Sequence, residues 1–192
     1  NNMIDKYFFI RMDESGYIVG ISEMENLLST IFDNLPELTE DEKDQLLGEI
    51  KSSFGKDAFK GSIESVTAML PSRGVQVNDV WKNSLNMGPS MPGIINNTFT
   101  LSEVSDEYLI ITGSSLIKIN GTSQVDPYGL PTRYNMSGKK NSKIKIDPVT
   151  NWIIEAEYDQ EFSGVSETST RANILGGQDT PMSIKMRIEI QR

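Results

Sequence analysis

From Ser142 to Phe162 the chain alternates between apolar and charged side chains. Ile144, Ile146, Trp152, Ile154, Ala156, Tyr158 and Phe162 stand at even positions. Lys143, Lys145, Glu155, Glu157, Asp159 and Glu161 stand at odd ones. A period of two sends successive side chains to opposite faces of a strand. The stretch therefore reads as a β-hairpin with one dry and one wet face, turned at Asp147-Pro148-Val149-Thr150-Asn151. Met182–Ile190 repeats the pattern, with Met182, Ile184, Met186, Ile188 and Ile190 inward and Ser183, Lys185, Arg187 and Glu189 outward.

A helical period governs an earlier region. Ser22–Leu35 carries Met24, Leu27, Leu28, Ile31, Phe32 and Leu35 in one stripe, Thr39–Phe54 carries Leu46, Leu47, Ile50 and Phe54, and Asp57–Leu70 carries Phe59, Ile63, Val66 and Leu70. Ser22 with Glu25, and Thr39 with Glu42, have the spacing of a capping box. Pro36 and Pro71 end the first and third helices, and Gly55 follows the second.

The remaining strands alternate less cleanly. Lys6–Met12 and Tyr17–Ile21 flank a turn at Asp13-Glu14-Ser15-Gly16. Val80–Leu85, Thr98–Val104, Glu107–Asn120 and Thr132–Ser137 follow Pro71, and Gly138–Asn141 reads as a turn into the long hairpin. Leu109, Ile111, Ile117 and Ile119 share one face of a strand whose other face holds Tyr108, Ile110 and Leu116. Such a strand is expected at the centre of a sheet, covered twice at least in part. Gly121–Pro131 and Ser163–Thr180 read as loops, the second long enough to be mobile or a binding loop. The expected class is α+β: a curved antiparallel meander of about nine strands, with three amphipathic helices inserted after the second strand and packed on one face. Residues 1–192 are expected to form a single domain, with the helical insert at about 22–70 and the β-rich part at about 75–192.

Composition narrows the chemistry more than it identifies it. The chain has 192 residues, no cysteine and no histidine. Thiolate chemistry, zinc–thiolate sites and Ser-His-Asp catalysis are excluded, and no metal or other cofactor is expected. A net charge of −9 argues against nucleic acid as a partner. No apolar run is long enough for a transmembrane segment. Asp13 and Glu14 supply too few ligands for calcium and read as a solvated turn.

Two sets of residues could form a site. Glu155, Glu157, Asp159 and Glu161 make an acidic row in which alternate residues lie roughly 6.5–7 Å apart. Glu155, Glu157 and Asp159 are thus candidate catalytic carboxylates at the separation of an inverting glycosidase, about 6.5–9.5 Å. Against that, Lys143 and Lys145 face the same way and can pair with them across the hairpin. The cluster Lys139, Lys140, Lys143 and Lys145 reads as the partner of this acidic strand. The second set is aromatic and apolar. Trp81, Tyr128 and Tyr134 are candidate ligand-binding residues for sugar or lipid, and Met24 and Phe32, with Leu28 and Ile154, would line a cavity between helices and sheet. Trp152, on the dry face, reads as core.

Met69-Leu70-Pro71 through Val75-Gln76-Val77-Asn78-Asp79-Val80-Trp81 forms one recognisable segment. A second runs from Gly138 through Asp147 to Asn151-Trp152-Ile153 and Phe162-Ser163-Gly164. Together they resemble a domain-of-unknown-function family of secreted proteins and lipoproteins from Bacteroidetes, in which a Val-x-x-Gly-Asp-x-Trp motif precedes an Asp-x-x-Thr-Gly hairpin. Asn78 and Asn151 stand where that family has glycine, and asparagine tolerates the left-handed conformation better than most residues. The resemblance covers roughly Ser65–Arg192. It implies a secreted or cell-envelope location, a possible lipid anchor outside this chain, and a chain that is the C-terminal portion of a longer β-rich protein. It implies no activity.

The function expected is a non-enzymatic binding or structural module. A carrier of an apolar ligand such as lipid, and a carbohydrate-active enzyme acting on a glycan through the strand carboxylates, are the alternatives.

Overall fold

A computed structural model of the chain describes residues 6–30, 39–88, 91–123, 132–168 and 178–191. The strands β1 (Phe9–Met12) and β2 (Ile18–Ser22) are followed by helices α1 (Met24–Ser29), α2 (Glu40–Phe54) and α3 (Lys56–Thr67). Then come β3 (Val80–Asn86), β4 (Gly93–Val104), β5 (Leu109–Ser123), β6 (Thr132–Ile146), β7 (Ile153–Thr168) and β8 (Gln178–Gln191). β1 and β2 form a hairpin sheet of their own. β3 to β8 form a six-stranded antiparallel sheet in sequence order.

The α+β class and the insertion of the helices after the second strand agree with the sequence pattern. The three helices do not all pack on one face of the sheet, since α1 and α2 pack on α3 and the hairpin instead, and the strand count differs. There are eight strands in two sheets among the described residues, rather than nine in one. The discrepancy lies at Gly138–Asn141, which is strand and not turn. Gly138 pairs with Phe162 in the β6–β7 ladder. A Cβ at 138 would strike the Phe162 main chain and Cβ, so glycine serves a close approach here instead of a bend. β7 also continues to Thr168 and β8 begins at Gln178. The expected Ser163–Thr180 loop thus shrinks, its residues 169–177 lying outside the described residues. Residues 124–131 of the other expected loop lie outside as well.

The inward parity of the long hairpin holds for Ile144, Ile146, Ala156, Tyr158 and Phe162, all buried. It fails at Trp152, which is 62% exposed. The cause is a register shift. Lys145 pairs with Glu155, but Ile146 pairs with Ile153, leaving Ile154 as an extra residue on β7. A bulge of this kind flips the parity of everything beyond it. Ile153 packs on the core and Trp152 projects from the tip. The tip itself is closed by Asp147, whose Oδ1 accepts from the Val149 and Thr150 amides at 2.8 and 2.9 Å. Asn151 completes the turn at φ 57°, and Asn78 stands at φ 72°. Both asparagines therefore occupy the left-handed conformation for which glycine is the usual choice.

β5 is fully covered on one face only. Ile111, Ile117 and Ile119 are buried, whereas Leu116 on the opposite face is 70% exposed. Tyr108 and Ile110 on that opposite face are half-buried, so the second cover is partial, and α3, which reaches this sheet, lies on the other side.

The capping box at Thr39 forms as expected. Thr39 Oγ1 accepts from the Glu42 amide at 3.4 Å and Glu42 Oε2 accepts from the Thr39 amide at 2.8 Å. The one expected at Ser22 does not form. α1 starts instead from Glu23 at φ 64° with no side-chain cap. The expected helix to Leu35 is described only through Thr30. α3 ends at Thr67 instead of Leu70, and its end is what joins the helices to the sheet.

Four sheet side chains satisfy the carbonyls at that end. Lys140 Nζ donates to Ser65 O at 2.9 Å and the Tyr158 hydroxyl to Val66 O at 3.0 Å. Asn83 Nδ2 donates to Ala68 O at 2.6 Å and Trp81 Nε1 to Met69 O at 2.8 Å. A helix leaves its last carbonyls without partners of its own, and here the sheet supplies them. Two of these donors, Asn83 and Lys140, belong to a polar row that crosses the buried face at one register: Asn83, Asn97, Ser115, Lys140 and Gln160 are successive cross-strand partners. Asn97 Nδ2 donates to Asn83 Oδ1 at 2.7 Å, and the Ser115 hydroxyl donates to Asn97 Oδ1. On one side of the row lies a cluster with Phe99, Ile111, Ile144 and Tyr158, and on the other a cluster with Leu85, Ile117, Met136 and Phe162.

Candidate functional site

The hairpin β1–β2 docks on α3 through backbone contacts that leave an apolar space beside them. Gly16 turns at φ 85°, and a Cβ there would collide with the Thr67 carbonyl. Thr67 Oγ1 donates to Gly16 O at 2.8 Å, and the buried Glu64 accepts from the Ile18 amide at 2.7 Å. The Phe8 and Phe59 rings then meet edge to face at 5.1 Å.

Those two rings open one wall of a pocket of about 410 Å³. Met24, Leu27 and Leu28 of α1 form a second wall, and Ile50 and Phe54 of α2 a third. Every described lining side chain is apolar. The stripe of each helix explains why: helices that cannot all lie on the sheet turn their apolar sides toward one another and the hairpin. Met24 and Leu28 are buried, while Phe54 is 67% exposed at the opening.

The expected cavity between helices and sheet is thus replaced by one between helices and hairpin. Met24 and Leu28 belong to it and Ile154 does not. Phe32 and Tyr128 lie outside the described residues. Trp81 is half-buried, tilted against Phe99 with ring centroids 6.0 Å apart, and bonded to Met69 O. Tyr134 packs on the cluster around Met136. Leu27, Ile50, Phe54 and Phe59 were legible as apolar stripe positions, but nothing in their spacing shows that the stripes leave space between them.

The candidate carboxylates occupy the outer face of the sheet. Glu155, Glu157 and Asp159 are exposed, and Glu157 pairs with Lys143 and Glu155 with Lys145 in the β6–β7 register. Arg187 reaches Glu157 at 3.6 Å, Asp159 at 3.8 Å and Glu189 at 2.8 Å. Lys139 and Lys185 reach Glu161 at 3.2 and 3.9 Å. An open groove of about 530 Å³ runs over Asp159, Glu161 and these cations. Lys145 lies 4.4 Å over the Tyr108 ring. Lys140 does not join this basic cluster, since it points inward and is 5% exposed. Its position on the inner face was available from parity alone, being even-numbered like Ile144 and Ile146.

Asp13 Oδ1 accepts from the Ser15 and Tyr17 amides, both at 2.9 Å, so its carboxylate serves the turn. Among the described residues no group of carboxylates is placed to hold a metal ion, and no helix is long and apolar enough to cross a membrane.

No curated protein and no solved structure matches the chain. A family model does, over residues 1–153, which takes in the hairpin, all three helices, the pocket they form and the sheet through β6. The match reaches further toward the amino terminus than the motifs around Asn78 and Asn151, and with it the chain belongs to DUF6263, a family of unknown function.

Proposed function

We propose that this protein is a non-enzymatic binding protein that holds an apolar chain in the pocket between its amino-terminal hairpin and its helices. The observation that carries this is that every described side chain lining a pocket of about 410 Å³ is apolar. Ligand sites commonly span about 300–1,000 Å³. Each buried methylene contributes about 0.8 kcal/mol, so a chain of about ten offsets the cost of association by several kcal/mol. A secreted or cell-envelope location belongs to the same proposal, and the resemblance of the Asn78 and Asn151 motifs to secreted proteins and lipoproteins supports it.

The test uses the neutral probe N-phenyl-1-naphthylamine, whose fluorescence rises in apolar surroundings. It should bind the intact protein and be displaced by dodecan-1-ol. Leu27→Trp, which fills the pocket, should abolish binding without lowering the melting temperature. A wild-type protein that leaves the probe dark, or a Leu27→Trp protein that still binds it, rules the reading out.

The outer carboxylates support a second proposal, a carbohydrate-active enzyme using Glu155, Glu157 or Asp159, less well. The groove over Asp159 favours it. Against it, a general acid needs a desolvated setting to stay protonated, and these groups are exposed and faced by Arg187. Glu155→Gln compared with the wild type on a panel of glycans tests it, and an inactive wild type ends it.

A further inference from the structure

We infer that the pocket takes a single-chain anionic amphiphile, with its acyl chain among the helices and its carboxylate on Lys56. This rests on the pocket reading above and adds the charge of the ligand's head.

Lys56 Nζ lies 2.9 Å from Glu25 Oε1, an ion pair joining α3 to α1. Neither partner lines the pocket, but each stands about one helical turn from a residue that does. Glu25 precedes Leu28 by three residues and Lys56 precedes Phe59 by three, and residues three apart share a helix face. Leu28 and Phe59 are lining residues. The pair is also exposed on both sides, and an exposed pair is held weakly. A ligand carboxylate can therefore take Glu25's place at Lys56 while the Glu25 side chain turns into solvent.

The field at that point favours an anion. The Glu25 carboxyl is held below its ordinary range by its hydrogen bond to Lys56, by the charge of Lys56 and by the charge of Lys51. An ammonium head would face both lysines with Glu25 as its counter-ion. A hydroxyl head could accept a hydrogen bond from a lysine but would gain no charge attraction.

Dodecanoate, dodecan-1-ol and dodecylammonium, each below its micellar concentration, should be titrated against the intact protein by displacement of N-phenyl-1-naphthylamine. Dodecanoate should bind about threefold to fivefold tighter than dodecan-1-ol at low salt, with the difference shrinking as salt rises. Lys56→Met should bring dodecanoate down to the level of the alcohol, and Glu25→Gln should tighten dodecanoate alone. Equal binding of acid and alcohol, an unchanged preference in Lys56→Met, or tightest binding of dodecylammonium overturns the inference and leaves the pocket reading standing. Failure of all three probes to displace the dye removes the pocket reading and the inference with it.

Discussion

Lys140 Nζ donates a 2.9 Å hydrogen bond to the carbonyl oxygen of Ser65, joining the middle of the sheet to the last turn of α3. The ammonium also stands 5.6 Å from the centroid of the Tyr158 ring, whose hydroxyl serves the next carbonyl, Val66 O. A cation at the carboxyl end of a helix is favourable, but this one is 5% exposed with no carboxylate partner among the described ion pairs. Burial pushes Lys140 down to about 8 from 10.5, and burial pushes the Tyr158 phenol up from 10.0.

Those two shifts make stability depend on pH with opposite signs. Between pH 8 and 10.5 the unfolded chain still carries the Lys140 proton and the folded chain sheds it, so stability rises with pH. Above pH 10.0 the unfolded chain loses the Tyr158 proton and the folded chain keeps it, so stability falls. Urea denaturation from pH 7 to 11 should therefore pass through a maximum near pH 10. Tyr158→Phe should weaken the falling limb and Lys140→Met should remove the rising one. A curve that declines steadily from pH 7 contradicts this.

Replacing Lys140 separates its charge from its bulk. Lys140→Met keeps the packing, drops the buried charge and leaves Ser65 O without its donor. These effects oppose each other, so stability at pH 7 should change by only about 1 kcal/mol. Lys140→Ala also opens a cavity under α3 and should cost about 2–4 kcal/mol. Chemical denaturation of both variants checks the difference.

Much of this arrangement was readable before the coordinates. Helical and strand periods mark the three helices, the Thr39 capping box and the inward side of β7, because each rests on local spacing. What local spacing does not contain is cross-strand geometry. Gly138 looks like a turn until Phe162 is placed against it. Trp152 looks buried until Ile154 is recognised as the extra residue of a bulge. Lys140 looks like one of four surface lysines, although its even number puts it inside, because a polar residue at an inward position makes sense only once α3 brings Ser65 O to it. The pocket was half legible: its walls are stripes any helical wheel shows, while the space between them is a product of how the hairpin docks.

Asn151 holds φ 57° at the tip of the β6–β7 hairpin. Asn151→Gly relieves the steric cost of the left-handed conformation and should leave stability within about 0.5 kcal/mol of the wild type. Asn151→Val, branched at Cβ, should cost about 1–2 kcal/mol. Trp152→Ser next to it should be nearly silent, since the indole is exposed. Thermal melts of the three proteins distinguish this from a tip held by Trp152 packing.

Arg187 contacts Glu157, Asp159 and Glu189 on the open face of the sheet. Its side chain is exposed, and salt screens such contacts. Arg187→Ala should lower the melting temperature slightly in dilute buffer and not at all at high ionic strength. A large loss that persists in high salt would mean that the outer face is not open in solution.

The strictest demand on any single position falls at Gly16. Its φ of 85° is costly for every other residue, and its α-carbon faces the Thr67 carbonyl so closely that a methyl group has no room. Gly16→Ala therefore loses on both counts, whereas Thr67→Val loses only the hydroxyl that is shared between Gly16 O at 2.8 Å and Ile63 O at 3.0 Å. The alanine variant should cost about 2–3 kcal/mol and the valine variant about 1 kcal/mol. Because the strain is confined to the hairpin, it is relieved by undocking rather than by unfolding the sheet. Hydrogen exchange should then show lost protection at Ile18, whose amide is bonded to Glu64, with the β5–β6 ladder unchanged. The same undocking takes Phe8 away from Phe59, so Gly16→Ala should also weaken N-phenyl-1-naphthylamine binding. Lost protection spread evenly over both sheets would mean that hairpin and sheet unfold as one unit.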